Sequence, residues 1–78
     1  MQTNKRQALI QHLIEVGQLP HRIDGVRMWG GPGTERPCAT CGEPIVVSAV
    51  EYELDLGGRT LVLCVPCYVA WRAEPTGA

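Results

Sequence analysis

The feature that most constrains this chain is a doubled cysteine pair. Cys38-Ala39-Thr40-Cys41 and Cys64-Val65-Pro66-Cys67 are two C-x2-C units with 22 residues between them. Two residues between cysteines let both sulfurs of a tight turn point at one ion, and two such pairs close a tetrahedral cage of four sulfurs. The separation slightly exceeds the usual spacer of about 15–20 residues and leaves room for a β-hairpin. The spacing therefore predicts one zinc ion per chain, held by Cys38, Cys41, Cys64 and Cys67. Four thiolates leave no open coordination position, so the site reads as structural rather than catalytic. Gly42 suits a knuckle whose N–H groups turn towards the sulfurs. Cys67 falls in the first turn of an expected helix, where free N–H groups favour a thiolate.

Size makes such a staple necessary. The chain has 78 residues, which allows one domain, 1–78. Hydrophobic residues at 45% and charged residues at 19% exclude compositional disorder. Ordering costs roughly 1.5 kcal/mol per residue, which a small core barely offsets. With no Phe, two Trp, two Tyr, nine Gly and six Pro, this core is small. Structural zinc contributes folding energy of order 10 kcal/mol in small domains. No apolar run approaches the ~18–20 residues of a membrane span. Gln11 and His12 interrupt the apolar N-terminal residues, so no signal-peptide core is seen and a cytoplasmic setting is expected. There paired cysteines are more often metal ligands or redox groups than disulfides.

Around the cysteines the chain divides into segments. Residues 1–18 predict an amphipathic helix from about Asn4 to Val16, with Leu9, Ile10, Leu13 and Ile14 as its apolar stripe. Thr3 or Asn4 is its candidate cap, and Gly17 its stop. The stripe is either a packing face or, through Leu9, Ile10 and Leu13, a partner-binding face. Residues 19–37 show no period and read as a Gly/Pro loop, with Met28 and Trp29 covering the core. Its Gly30-Gly31-Pro32-Gly33 run lacks the Gly-Lys-Ser/Thr of a phosphate-cradling loop.

Residues 38–74 carry the finger, and 75–78 form a tail. Ile45–Val47 reads as a short first strand. Val50, Tyr52, Leu54 and Leu56 alternate with Glu51, Glu53 and Asp55, a strand with one buried and one wet face. Gly57-Gly58 is a two-residue hairpin signal. Folding about it pairs Asp55 with Thr60, Leu54 with Leu61, Glu53 with Val62 and Tyr52 with Leu63. Pro66 opens a final helix running to about Glu74.

The order of knuckle, hairpin and ligand-bearing helix makes a small α+β fold that resembles the treble-clef zinc finger and, more loosely, half of a LIM-type finger. A rubredoxin-like iron site would want a glycine after both pairs, whereas Tyr68 follows Cys67. The chain also looks like a group of small uncharacterised bacterial zinc-binding proteins. The matching residues are Trp29-Gly30-Gly31-Pro32-Gly33, Cys38-Cys41, Ile45, Glu51-Tyr52-Glu53, Cys64-Cys67 and Trp71, over about residues 28–74. Those proteins often carry His where this chain has Cys64. The resemblance implies a fold and a metal, and no activity.

Charge narrows the partners. Residues 1–37 hold Lys5, Arg6, Arg22, Arg27 and Arg36 against Glu15, Asp24 and Glu35. Residues 38–78 hold Arg59 and Arg72 against Glu43, Glu51, Glu53, Asp55 and Glu74. Four thiolates with one Zn2+ add −2 to the formal −1, giving −3. This is not the basic footprint of a phosphate-bound protein, although Arg36, Arg59 or Arg72 is a candidate neighbour of the site. Glu51, Glu53 and Asp55 form an acidic strip, either solvated or able to dock a basic partner. Trp71, four residues from Cys67, is a lid over the metal or an aromatic partner contact. His12 and His21 have no ligand spacing and read as surface residues. The expected function is a non-enzymatic interaction module that binds protein. Nucleic-acid binding is the alternative, followed by thiol redox chemistry or zinc sensing. No small-molecule substrate is indicated.

Overall fold

The computed structural model describes the backbone of residues 2–74 and the side chains of residues 5–74. The chain is a small α+β structure. Helix α1 (Gln2–Glu15) is followed by strands β1 (Arg27–Pro32), β2 (Val50–Asp55) and β3 (Thr60–Cys64), and then by helix α2 (Val65–Arg72). The strands form one antiparallel sheet in the order β1-β2-β3. Among the described residues no helix is long and apolar enough to cross a membrane.

Helix α1 starts earlier than the capping signals suggest, since residues 3 and 4 are already helical. The side chains of Thr3 and Asn4, and the tail 75–78, lie outside the described residues. The stripe of α1 is a packing face. Ile10 is completely buried, and Leu13 and Ile14 pack against the core. Ile10 is therefore unavailable to a partner, Leu13 is partly buried against the core, and Leu9 is exposed. The two helices are tied by Gln7, whose side-chain amide donates to the Ala70 carbonyl at 2.8 Å and to the Glu74 carboxylate.

The hairpin has the register that the alternation and Gly57-Gly58 imply. Asp55 faces Thr60, Leu54 faces Leu61, Glu53 faces Val62 and Tyr52 faces Leu63. Leu54 and Leu63 are fully buried, each contributing roughly 2 kcal/mol of apolar transfer. Tyr52 stacks on Tyr68 of α2 with ring centroids 4.1 Å apart. Helix α2 thus covers this face of the sheet.

Two sequence expectations for the middle of the chain are corrected. The 19–37 loop contains β1, which pairs with β2 from Arg27↔Asp55 to Pro32↔Val50. Met28 packs on the core as expected, but Trp29 faces away and is 52% exposed. Conversely, Ile45–Val47 is not a strand. Ile45 is buried and exchanges backbone hydrogen bonds with Glu35 and Arg36, while Val46 and Val47 are exposed. This stretch packs closely on Gly33. A Cβ at Gly33 would lie 2.0 Å from the Val46 carbonyl oxygen and 2.4 Å from that of Ile45.

Of the acidic strip, Glu51 is corrected, while Glu53 and Asp55 remain partly exposed. Glu51 is only 4% exposed. Its carboxylate accepts from the Thr34 hydroxyl at 2.8 Å, the Thr34 N–H at 3.1 Å and the Arg36 guanidinium at 2.6 Å. Arg36 also reaches Glu53 at 3.7 Å. A buried carboxylate is tolerated when its lone pairs are filled this way. Burial pushes the Glu51 carboxyl up, but Thr34 and Arg36 outweigh it and hold it below its ordinary value. The Glu51 carboxylate is thus committed to the fold rather than presented to a partner.

Candidate metal centre

Three elements bring the four cysteines together. The knuckle between the Pro37↔Pro44 bridge supplies Cys38 and Cys41. It is closed by Gly42 N–H to the Cys38 carbonyl and Cys38 N–H to the Glu43 carbonyl, both 2.9 Å. Gly42 has φ 78°, the left-handed conformation that glycine adopts without steric cost. Cys64 ends β3 and is the N-cap residue of α2. Cys67 lies in the first turn of that helix, just after Pro66.

The knuckle docks on the free edge of β3. Ala39 N–H donates to the Val62 carbonyl at 2.8 Å, and Cys64 N–H points at the Cys38 sulfur at 3.5 Å. Thr40 N–H lies 3.4 Å from the same sulfur. One backbone pairing therefore fixes the relation between the two C-x2-C units.

The four Sγ atoms all lie within 4.8 Å of one another. Sulfurs placed 2.3 Å from a central zinc make a tetrahedron with edges of about 3.8 Å. The Cys41 and Cys64 sulfurs are 3.8 Å apart. Cys38 and Cys67 are buried, Cys41 and Cys64 half-buried. The cluster is a set of four thiols that can hold a metal ion, and its dimensions are compatible with a structural zinc site.

The electrostatics favour a cation at the centre. Burial alone pushes the Cys38 thiol up, but the backbone N–H groups of Cys41, Cys64 and Thr40 bring it down to about 7. Cys64 and Cys67 are both pushed above the ordinary thiol value, first by burial and also by the charge on Cys38. A divalent ion relieves that repulsion and displaces the remaining protons on binding.

The structure reassigns the neighbouring residues. Trp71 is buried in the same cluster as Cys38 and Cys67 and is not exposed to a partner. It is 3% exposed, and its indole N–H donates to the Pro20 carbonyl at 3.1 Å. His12 and His21 are exposed and lie outside the cluster. Of the cations read as neighbours, Arg36 serves Glu51, Arg59 binds the Gly17 and Gln18 carbonyls, and Arg72 lies over Tyr68 at 5.8 Å. The cation beside the cluster is Arg6 of α1, whose guanidinium is held above its ordinary pKa by Cys67. Sequence reasoning missed it, although a signal exists. Arg6 precedes the buried Ile10 by four residues, so it occupies the inward face of the helix. No protein-family model, curated protein or solved structure matches this chain.

Proposed function

We propose that the chain is a treble-clef-like domain with one structural zinc, acting as a non-catalytic module that binds protein in the cytoplasm. The observation that carries this reading is the closed four-sulfur cage at the meeting point of the knuckle, the end of β3 and the first turn of α2. Four soft thiolates in a tetrahedron suit zinc, and they leave no coordination position for substrate or water. The Cys67-bearing helix directly after the hairpin supports the treble-clef comparison.

A protein partner is favoured over nucleic acid by what the surface offers. Val46 and Val47 lie on one exposed turn, closed by Ala49 N–H to the Val46 carbonyl, and Val50 is exposed at the start of β2. Trp29 is exposed on the adjoining sheet. These residues stand in for the buried Ile10, Glu51 and Trp71, while Leu9, Glu53 and Asp55 of the surface inferred from sequence stay at least partly exposed. Arg36 and Arg59, which would otherwise meet phosphates, are engaged within the fold.

The test compares partner capture by the parent protein and by Val47→Asp, whose side chain is 65% exposed in the parent and should leave the fold intact. The reading expects a protein retained by the parent and lost with the variant. Binding of DNA or RNA at low salt, unaffected by Val47→Asp, would replace it with the nucleic-acid reading.

A further inference from the structure

The structure places a positive charge against the four-thiolate cluster, on an element that supplies none of its ligands. Arg6 belongs to α1, whereas the cysteines come from the knuckle, β3 and α2. Arg6 lines a cleft with Lys5, Leu9, Cys41 and Glu43, and, unlike Lys5, also a second one with Pro66 and Ala70. It therefore sits between the two C-x2-C units. Its Nε is enclosed and has no hydrogen-bond partner among the described residues. Burying part of a guanidinium without a carboxylate is costly unless another anion faces it. The sulfurs beside it are that anion. Four thiolates around a divalent cation retain a net charge of −2, of which one guanidinium offsets half.

We propose that Arg6 is an outer-sphere counter-charge for the metal centre, acting on metal retention through its charge rather than through the docking of α1 on α2. This rests on the zinc reading above. Arg6 touches no ion and is a positioning residue. It lowers the repulsion among the thiolates that a bound ion must hold together. Groups of this kind around metal sites typically change affinity by about 10- to 100-fold when removed.

The experiment is competition for zinc between the full chain and a chromophoric chelator. The parent is compared with Arg6→Gln, Arg6→Lys and Gln7→Ala, each zinc-loaded and matched to the parent by far-UV circular dichroism. Gln7→Ala removes the α1–α2 hydrogen bonds to Ala70 and Glu74 without changing charge at the sulfurs. The expected result is zinc retention about 10- to 100-fold weaker in Arg6→Gln, largely recovered in Arg6→Lys and little changed in Gln7→Ala. Retention by Arg6→Gln equal to that of the parent overturns the proposal. So does Gln7→Ala as weak as Arg6→Gln, because helix docking rather than charge would then be responsible. Failure of Arg6→Lys to recover retention also overturns it. A parent that binds no zinc removes the zinc reading itself, a result distinct from all of these.

Discussion

Gly33→Ala should be among the most damaging single-methyl changes in this protein. The added Cβ would sit 2.0 Å from the Val46 carbonyl oxygen and 2.4 Å from that of Ile45. Both obstacles are backbone, so no side-chain rotation relieves them. Ordinary contact begins near 3.4 Å, so the chain must separate there by more than an ångström. Separation strains the Gly33 N–H to Ala49 and Glu35 N–H to Ile45 hydrogen bonds, both 2.9 Å, and disturbs the buried Ile45 side chain. Overpacking costs about 1–3 kcal/mol and one lost hydrogen bond about 1 kcal/mol, giving about 3 kcal/mol together. For a domain of this size, each kcal/mol lowers Tm by about 4–8 °C. The drop should therefore be about 12–24 °C by differential scanning calorimetry with zinc in excess. Gly31→Ala is the control. It lies two residues earlier, in β1, and its Cβ would meet nothing within 4 Å. It should stay within about 0.5 kcal/mol of the parent. If both variants melt within a few degrees of each other, the packing of the 45–46 stretch on Gly33 is wrong.

Three further predictions follow from buried groups. Glu51→Gln should destabilise by about 1–2 kcal/mol at neutral pH in urea titration, the loss being limited because Arg36 is partly solvent-screened. The folded-state pKa of Glu51 lies below its unfolded value, so its contribution is present at neutral pH and fades as pH falls through the folded pKa. The gap between parent and Glu51→Gln should accordingly close in acid, and a gap that widens there contradicts the assignment. Trp71→Phe should leave the red-shifted emission of exposed Trp29 and remove the blue-shifted component; an unchanged spectrum would mean that the two indoles are misplaced. Ile10→Ala should cost about 2–5 kcal/mol in urea titration, against less than about 1 kcal/mol for Gln11→Ala on the exposed side of α1, and equal losses would mean that the face is misread.

The parts of the fold that sequence reveals are those encoded by local pattern. The C-x2-C spacing needs only a turn and an ion, and the hairpin register follows from period-two alternation around Gly57-Gly58. Strand β1 was hidden because Met28-Trp29-Gly30-Gly31-Pro32 carries no alternation. It is a strand because β2, some twenty residues later in the chain, provides its partner groups. Gly30 shows the same dependence: a Cβ there would lie 3.3 Å from the Tyr52 ring. Glu51 looked solvated because alternation predicts faces but not the loop that returns to cover one of them. Thr34 and Arg36 bring the donors that make its burial tolerable. Arg6 was missed for a related reason, since its anion is made of sulfurs more than thirty residues away.

Native mass spectrometry of protein purified without added metal, repeated after acid denaturation, tests the proposed zinc site at the four-cysteine cluster. The predicted result is one zinc per chain, released on unfolding and accompanied by four reduced thiols at Cys38, Cys41, Cys64 and Cys67. A folded, metal-free chain about four mass units lighter than its reduced form would mean two disulfides in place of the cage. That result would contradict the site, and with it the role assigned to Arg6.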